Sequence, residues 1–150
     1  MIETFRPLLQ AAHGLDLSNV TAARAELARR FDPKSAAARE LAAALIRLSS
    51  EGKIAARGEL PVKWGRVSKA TPETLDQSID VVLMNGAGPR HRHPSGEVNF
   101  CIAVDGAPTF EGQPAGWVVM EPGSTHVPTV SGGTMLIVYL LPRGEMEFLT

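Results

Sequence analysis

From Gly58 onward, Gly and Pro punctuate the chain at short intervals and leave no room for a long helix. Residues 60–68, 78–84, 97–104, 116–120, 126–130 and 135–141 form apolar or alternating runs, each bounded by Gly, Pro or a turn such as the one through Thr71, Pro72, Glu73 and Thr74. Many short strands at this spacing, without helices between them, predict a double-sheet β-barrel of jelly-roll type. The fold class expected is therefore mainly β, with residues 58–150 as the barrel.

The first third obeys a different period. Thr4 is placed to cap a helix with Pro7 in its first turn and Gly14 at its end, where Leu8, Leu9, Ala11 and Ala12 supply the apolar face. A second helix is expected from Ser18 or Asn19, with Val20, Ala23, Leu27 and Phe31 on one side and Arg29 and Arg30 in its last turn. Asp32 and Pro33 read as the start of a third, whose stripe is Ala37, Leu41, Ala44, Leu45 and Leu48. Three such short helices cannot bury their stripes alone. Residues 1–57 are thus expected to pack on one another, on the barrel or on a second subunit, within a single structural unit.

Composition narrows the partners. The 150 residues carry a net charge of −1, and no basic cluster with interleaved aromatics is present. The helical region resembles a DNA-binding module only loosely, because Arg24, Arg29 and Arg30 are few and are mixed with Glu26, so no nucleic-acid partner is expected. The lone cysteine, Cys101, excludes an intramolecular disulfide and reads as a small buried filler. With neither a signal-peptide pattern nor a bilayer-length apolar run, a cytoplasmic protein without a membrane partner is expected. Barrel edge strands are commonly covered by a second copy, which suggests a homodimer or higher homo-oligomer.

The chemistry concentrates between Gly86 and Gly106. His91 and His93 are two residues apart, so on a strand both imidazoles leave the same face. Glu97 follows a Pro94-Ser95-Gly96 turn that folds its carboxylate back toward that face, and His126 follows a Pro122-Gly123 turn farther along. Three neutral nitrogens and one anionic oxygen suit a divalent first-row ion. By alternation Asn99 and Cys101 share the inward face with Glu97, and Tyr139 shares one with Ile137 and Leu141.

This arrangement resembles the two metal-binding motifs of the cupin superfamily, and the resemblance implies His91, His93, Glu97 and His126 as metal ligands in a cupin double-stranded β-helix. Val130 stands where those motifs usually place an Asn. Stretches 88–98, 110–119, 123–133 and 139–148 look more specifically like the 4-hydroxylaminobenzoate lyase family. That likeness implies an enzyme turning an arylhydroxylamine, 4-hydroxylaminobenzoate, into 3,4-dihydroxybenzoate and ammonia with one divalent metal ion. Fe(II) or Mn(II) is favoured, with Zn(II) and Ni(II) also compatible. Arg66, beside the aromatic wall of Trp64, is the candidate anchor for the carboxylate of a small aromatic substrate, in preference to Arg90 and Arg92. Asn99 and Tyr139 are candidate substrate contacts, and Tyr139 and Glu97 are candidate proton-handling groups. A cupin dioxygenase or isomerase, and a small-molecule-binding cupin without chemistry, are the alternatives.

Overall fold

The computed structural model describes residues 1–149. Three helices, α1 (Ile2–Ala12), α2 (Val20–Arg30) and α3 (Ala36–Ser50), precede nine strands. These are β1 (Arg57–Glu59), β2 (Val62–Ser68), β3 (Gln77–Met84), β4 (His91–His93), β5 (Glu97–Phe110), β6 (Gly116–Met120), β7 (Ser124–His126), β8 (Val130–Pro142) and β9 (Glu147–Phe148). A six-stranded sheet has the order β1-β2-β3-β8-β5-β6, a three-stranded sheet the order β7-β4-β9, and every pairing is antiparallel. The two antiparallel sheets and the helices before them make the expected mainly-β architecture.

Strand alternation divides the large sheet into two faces with separate cores. Ile79, Val81, Val98, Phe100, Ile102, Leu136, Val138 and Leu140 join Phe5, Leu8, Leu9, Leu27 and Leu45 of the helices in one cluster. Val82, Met84, Cys101, Val118, Met135, Ile137 and Tyr139 form the other, inside the barrel. Coverage on both faces explains why β3, β5 and β8 read as nearly continuous apolar runs. Burying each large aliphatic side chain of the helices contributes about 2 kcal/mol, which holds the helical layer against the sheet. Polar contacts fix its position. Trp117 Nε1 donates to the Phe31 carbonyl (2.9 Å), Arg24 Nε to the Trp117 carbonyl (3.1 Å), and Gln77 Nε2 to the Leu9 carbonyl (3.1 Å).

Helix α2 begins at its expected cap, where the Asn19 side chain accepts from the Ala22 amide. The other helix starts differ from expectation. Helix α1 starts at Ile2, ahead of Thr4, so Pro7 lies in its second turn. Fully buried Phe5 draws the upstream residues into the helix, and a Glu3–Arg6 ion pair supports that first turn. Helix α3 starts three residues after Pro33, because Asp32 Oδ1 accepts from the Lys34 amide in a local turn and Ser35 takes the cap. Leu45 of the expected stripe is buried and Leu41 and Leu48 are partly buried against the same core, whereas Ala38 takes the buried position expected of Ala37, which is exposed. Arg30 serves a neighbour, donating to the last carbonyls of α1 at Ala11 and His13, 2.9 Å each. The expected strand at 126–130 is split, since β7 ends at His126 and β8 begins at Val130.

Candidate metal centre

The small sheet builds the site. In the β4–β7 register His91 lies opposite His126, and β4 alternation puts His93 on the same face as His91 while Arg92 turns outward to Glu147 of β9 (3.3 Å). Glu97 reaches that face through the turn at Gly96, where φ is +84° and an added Cβ would stand 2.8 Å from the Met120 carbonyl oxygen. Only glycine fits this reversal without strain. The Gly96 and Gly123 amides both donate to the His93 carbonyl, at 3.2 and 2.8 Å, and so lock the two ligand-bearing turns onto β4.

The four expected ligands converge, with donor atoms all within 4.8 Å of one another. His126 Nε2 lies 2.9 Å from His93 Nε2 and 3.1 Å from His91 Nε2, and His93 Nε2 lies 2.9 Å from Glu97 Oε2. His91, His93 and Glu97 are buried, and His126 is nearly so. His91 Nδ1 is 3.0 Å from the Pro89 carbonyl oxygen, which suits an Nδ1–H donor and leaves the Nε2 lone pair facing the cluster. Burial, only partly opposed by the Glu97 charge, lowers the His91 pKa to about 4, so its ring is neutral near pH 7.

This donor set is unstable without a positive charge. Both Glu97 oxygens are buried with no hydrogen-bond partner, and no Lys or Arg pairs with Glu97 among the described residues. A buried carboxylate left in this condition costs several kcal/mol. Nitrogen lone pairs about 3 Å apart likewise repel one another unless a proton or a cation stands between them. The three histidines and the glutamate therefore form a site that could hold one metal ion.

Beside the cluster lies a cavity of about 450 Å³ between the two sheets, walled by Val62, Trp64, Met84, Tyr139 and Phe148, with His91 also in its lining. A larger groove of about 800 Å³ between α2, α3 and β6 includes none of the four ligands. Tyr139 is almost fully buried, and among the described residues its hydroxyl meets only the weak acceptor Met84 Sδ at 3.6 Å. Burial, reinforced by the Glu97 charge, raises its pKa well above the ordinary value, so it keeps its proton. Asn99 is fully buried with both amide atoms unpartnered, opposite Tyr139 in the β5–β8 register. Cys101 belongs to the interior cluster, where burial raises its pKa and keeps it a thiol.

The arginines are placed otherwise. Arg66 does not line the cavity. Its fork lies on Asp80, at 2.9 and 3.1 Å, and it is Asp80 that lines the wall. Trp64 stands half-exposed in the lining, with the Arg57 guanidinium 5.3 Å from its ring centre. Two residues given no role from the sequence also reach the site. Phe148 of β9 brings its ring to 6.1 Å from that of His91, and Glu111 places Oε1 3.3 Å from His126 Nδ1. An outlying Glu-Gly pair at the β5 turn was the available signal for Glu111; nothing local marked Phe148.

A family model described as PnbB, 4-hydroxylaminobenzoate lyase, matches residues 8–148. The 4-hydroxylaminobenzoate lyase of Pseudomonas putida is 31% identical over 99 residues, covering 55% of this chain and 56% of that protein. The enzyme of the same name from Nocardioides sp. (strain LMS-CY) is 30% identical over 91 residues, covering 55% of this chain and 54% of that protein. The chain thus spans about half the length of the curated relatives it matches. Among solved structures, an RmlC-like cupin protein from Ralstonia eutropha is similar at 17% identity with a TM-score of 0.46, covering 63% of this chain and 64% of that one.

Proposed function

The chain belongs to the 4-hydroxylaminobenzoate lyase family, and from that premise and the four-residue cluster we propose that it is a metal-dependent lyase that converts 4-hydroxylaminobenzoate to 3,4-dihydroxybenzoate and ammonia. The observation that carries the metal reading is the buried Glu97 carboxylate beside three imidazoles, with His126 Nε2 2.9 and 3.1 Å from the Nε2 atoms of His93 and His91 and no Lys or Arg pairing with Glu97 among the described residues.

Three imidazole nitrogens and one carboxylate oxygen suit a divalent first-row ion, of which Fe(II) or Mn(II) is favoured, with Zn(II) and Ni(II) also compatible. Such an ion would supply Lewis acidity toward oxygen beside the cavity.

The remaining work falls to the chain. Val62, Trp64 and Met84 offer apolar surface for the ring, and Asn99 offers a buried amide with unused hydrogen-bonding capacity. The neutral Tyr139 hydroxyl gives its proton to the departing oxygen as the N–O bond breaks, and the oxygen leaves as water. One water adds at the ring carbon adjacent to the nitrogen-bearing carbon. A second displaces the nitrogen as ammonia, and incoming water returns the Tyr139 proton. One water is lost and two are added, so the reaction consumes one water overall and needs no outside oxidant or reductant. Glu97 serves as a ligand in this scheme.

The test is incubation of the metal-loaded protein with 4-hydroxylaminobenzoate while following ammonia, the catechol product and dissolved oxygen. Ammonia and catechol should appear in equal amounts with no oxygen uptake, and His91→Ala should abolish both. Turnover no faster than in that variant rejects the substrate, and stoichiometric oxygen uptake would favour a dioxygenase.

A further inference from the structure

Glu111 occupies a position that its backbone disfavours. It follows Phe110 at the end of β5 in a two-residue turn in which Phe110 and Gln113 exchange backbone hydrogen bonds of 2.8 and 2.9 Å. Glu111 has φ +52° and Gly112 φ +74°. Turns with two positive φ values normally take Asn-Gly or Asp-Gly, because a longer side chain gains nothing in the left-handed region. A glutamate there calls for a reason, and its carboxylate supplies one.

The Glu111 amide donates to the Thr129 carbonyl (3.1 Å), and Oε1 accepts from the Thr129 amide (2.9 Å). This two-way clamp ties the turn to the segment between β7 and β8, just after His126. Held there, Oε1 sits 3.3 Å from His126 Nδ1, a buried nitrogen with no aligned hydrogen bond among the described residues and with this carboxylate within ion-pair distance. The His126 Nε2 atom, on the opposite edge of the ring, faces the cluster.

We propose that Glu111 is a positioning residue for the metal centre: its clamped carboxylate holds the His126 proton on Nδ1 and so presents the Nε2 lone pair to the ion. A carboxylate behind a ligating imidazole both selects the tautomer and strengthens the ligand. His91 obtains the same service from the Pro89 carbonyl oxygen. His126 stands on a three-residue strand followed by irregular chain, and among the described residues the Glu111 carboxylate is the group placed beside its Nδ1. The inference rests on reading the four-residue cluster as a metal centre.

The experiment titrates Mn(II) into metal-free protein and follows free Mn(II) by electron paramagnetic resonance, for the wild type, Glu111→Gln, Glu111→Asn and the surface control Glu147→Gln. Glu111→Gln keeps an acceptor for Thr129, and Glu111→Asn suits the left-handed turn, so both should melt within about 3 °C of wild type while binding Mn(II) about 10- to 100-fold more weakly. The control should bind as wild type does. Unchanged affinity in both Glu111 variants overturns the proposal, as does a weakening matched by an equal loss of thermal stability. A wild type that binds none of Mn(II), Fe(II), Ni(II) and Zn(II) sinks the metal reading itself, and the positioning role with it.

Discussion

Gly96 is the sharpest point at which backbone geometry and site chemistry meet, and Gly96→Ala should damage both. Two costs combine. Alanine in the left-handed region costs about 1 kcal/mol or somewhat more. Its Cβ would also stand 2.8 Å from the Met120 carbonyl oxygen and 2.9 Å from Leu17 Cδ1. Leu17 can rotate away. The Met120 carbonyl belongs to β6 and is held by pairing with Glu97, so relief requires a backbone shift that costs about another 1–3 kcal/mol. The whole loss is about 2–4 kcal/mol. With an m-value of about 1.5 kcal/mol/M, the urea midpoint should fall by more than 1 M. The control is Gly14→Ala, whose φ is +72° with nothing within 4 Å of an added Cβ, so it pays only the backbone part. Because Gly96 lies between His93 and Glu97, the same shift should weaken divalent-ion binding at least about tenfold, whereas Gly14→Ala should leave it unchanged. If the two variants lose equal stability and both bind metal normally, the steric reasoning is wrong.

Two further outcomes follow from groups inside the barrel. The unfolded chain protonates His91 near 6.5 and the folded metal-free chain only near 4, so between those values the unfolded state holds more protons and stability rises with pH. Acidifying metal-free protein from pH 7 to pH 4 should therefore cost up to about 3 kcal/mol through this residue, read as a urea midpoint that falls less steeply in His91→Gln; parallel slopes would refute it. Tyr139→Phe deletes a hydroxyl bonded only to a thioether, so the melting temperature should barely move. Ammonia release should nevertheless drop about 100-fold or more, and undiminished release would remove Tyr139 from the chemistry.

What could be read from the sequence was whatever depends on neighbours along the chain. The i, i+2 spacing of His91 and His93 sets both rings on one face, and the Pro-Ser-Gly turn returns Glu97 to it, because strand alternation and glycine stereochemistry are local rules. The Asn19 cap and the two-faced pattern of β5 and β8 follow for the same reason. The errors at Thr4 and Asp32 arose where a tertiary contact or a nearby turn competed with an equally acceptable local cap. Only the folded chain decided the rest. Cross-strand register set Arg66 opposite Asp80, which occupies the fork that sequence alone had left free for a substrate. Antiparallel return also brought Glu111 and Thr129 together behind His126, and laid β9 with Phe148 across the cavity. Those meetings join residues far apart in the chain, and no periodicity within a segment records which strand will lie beside it.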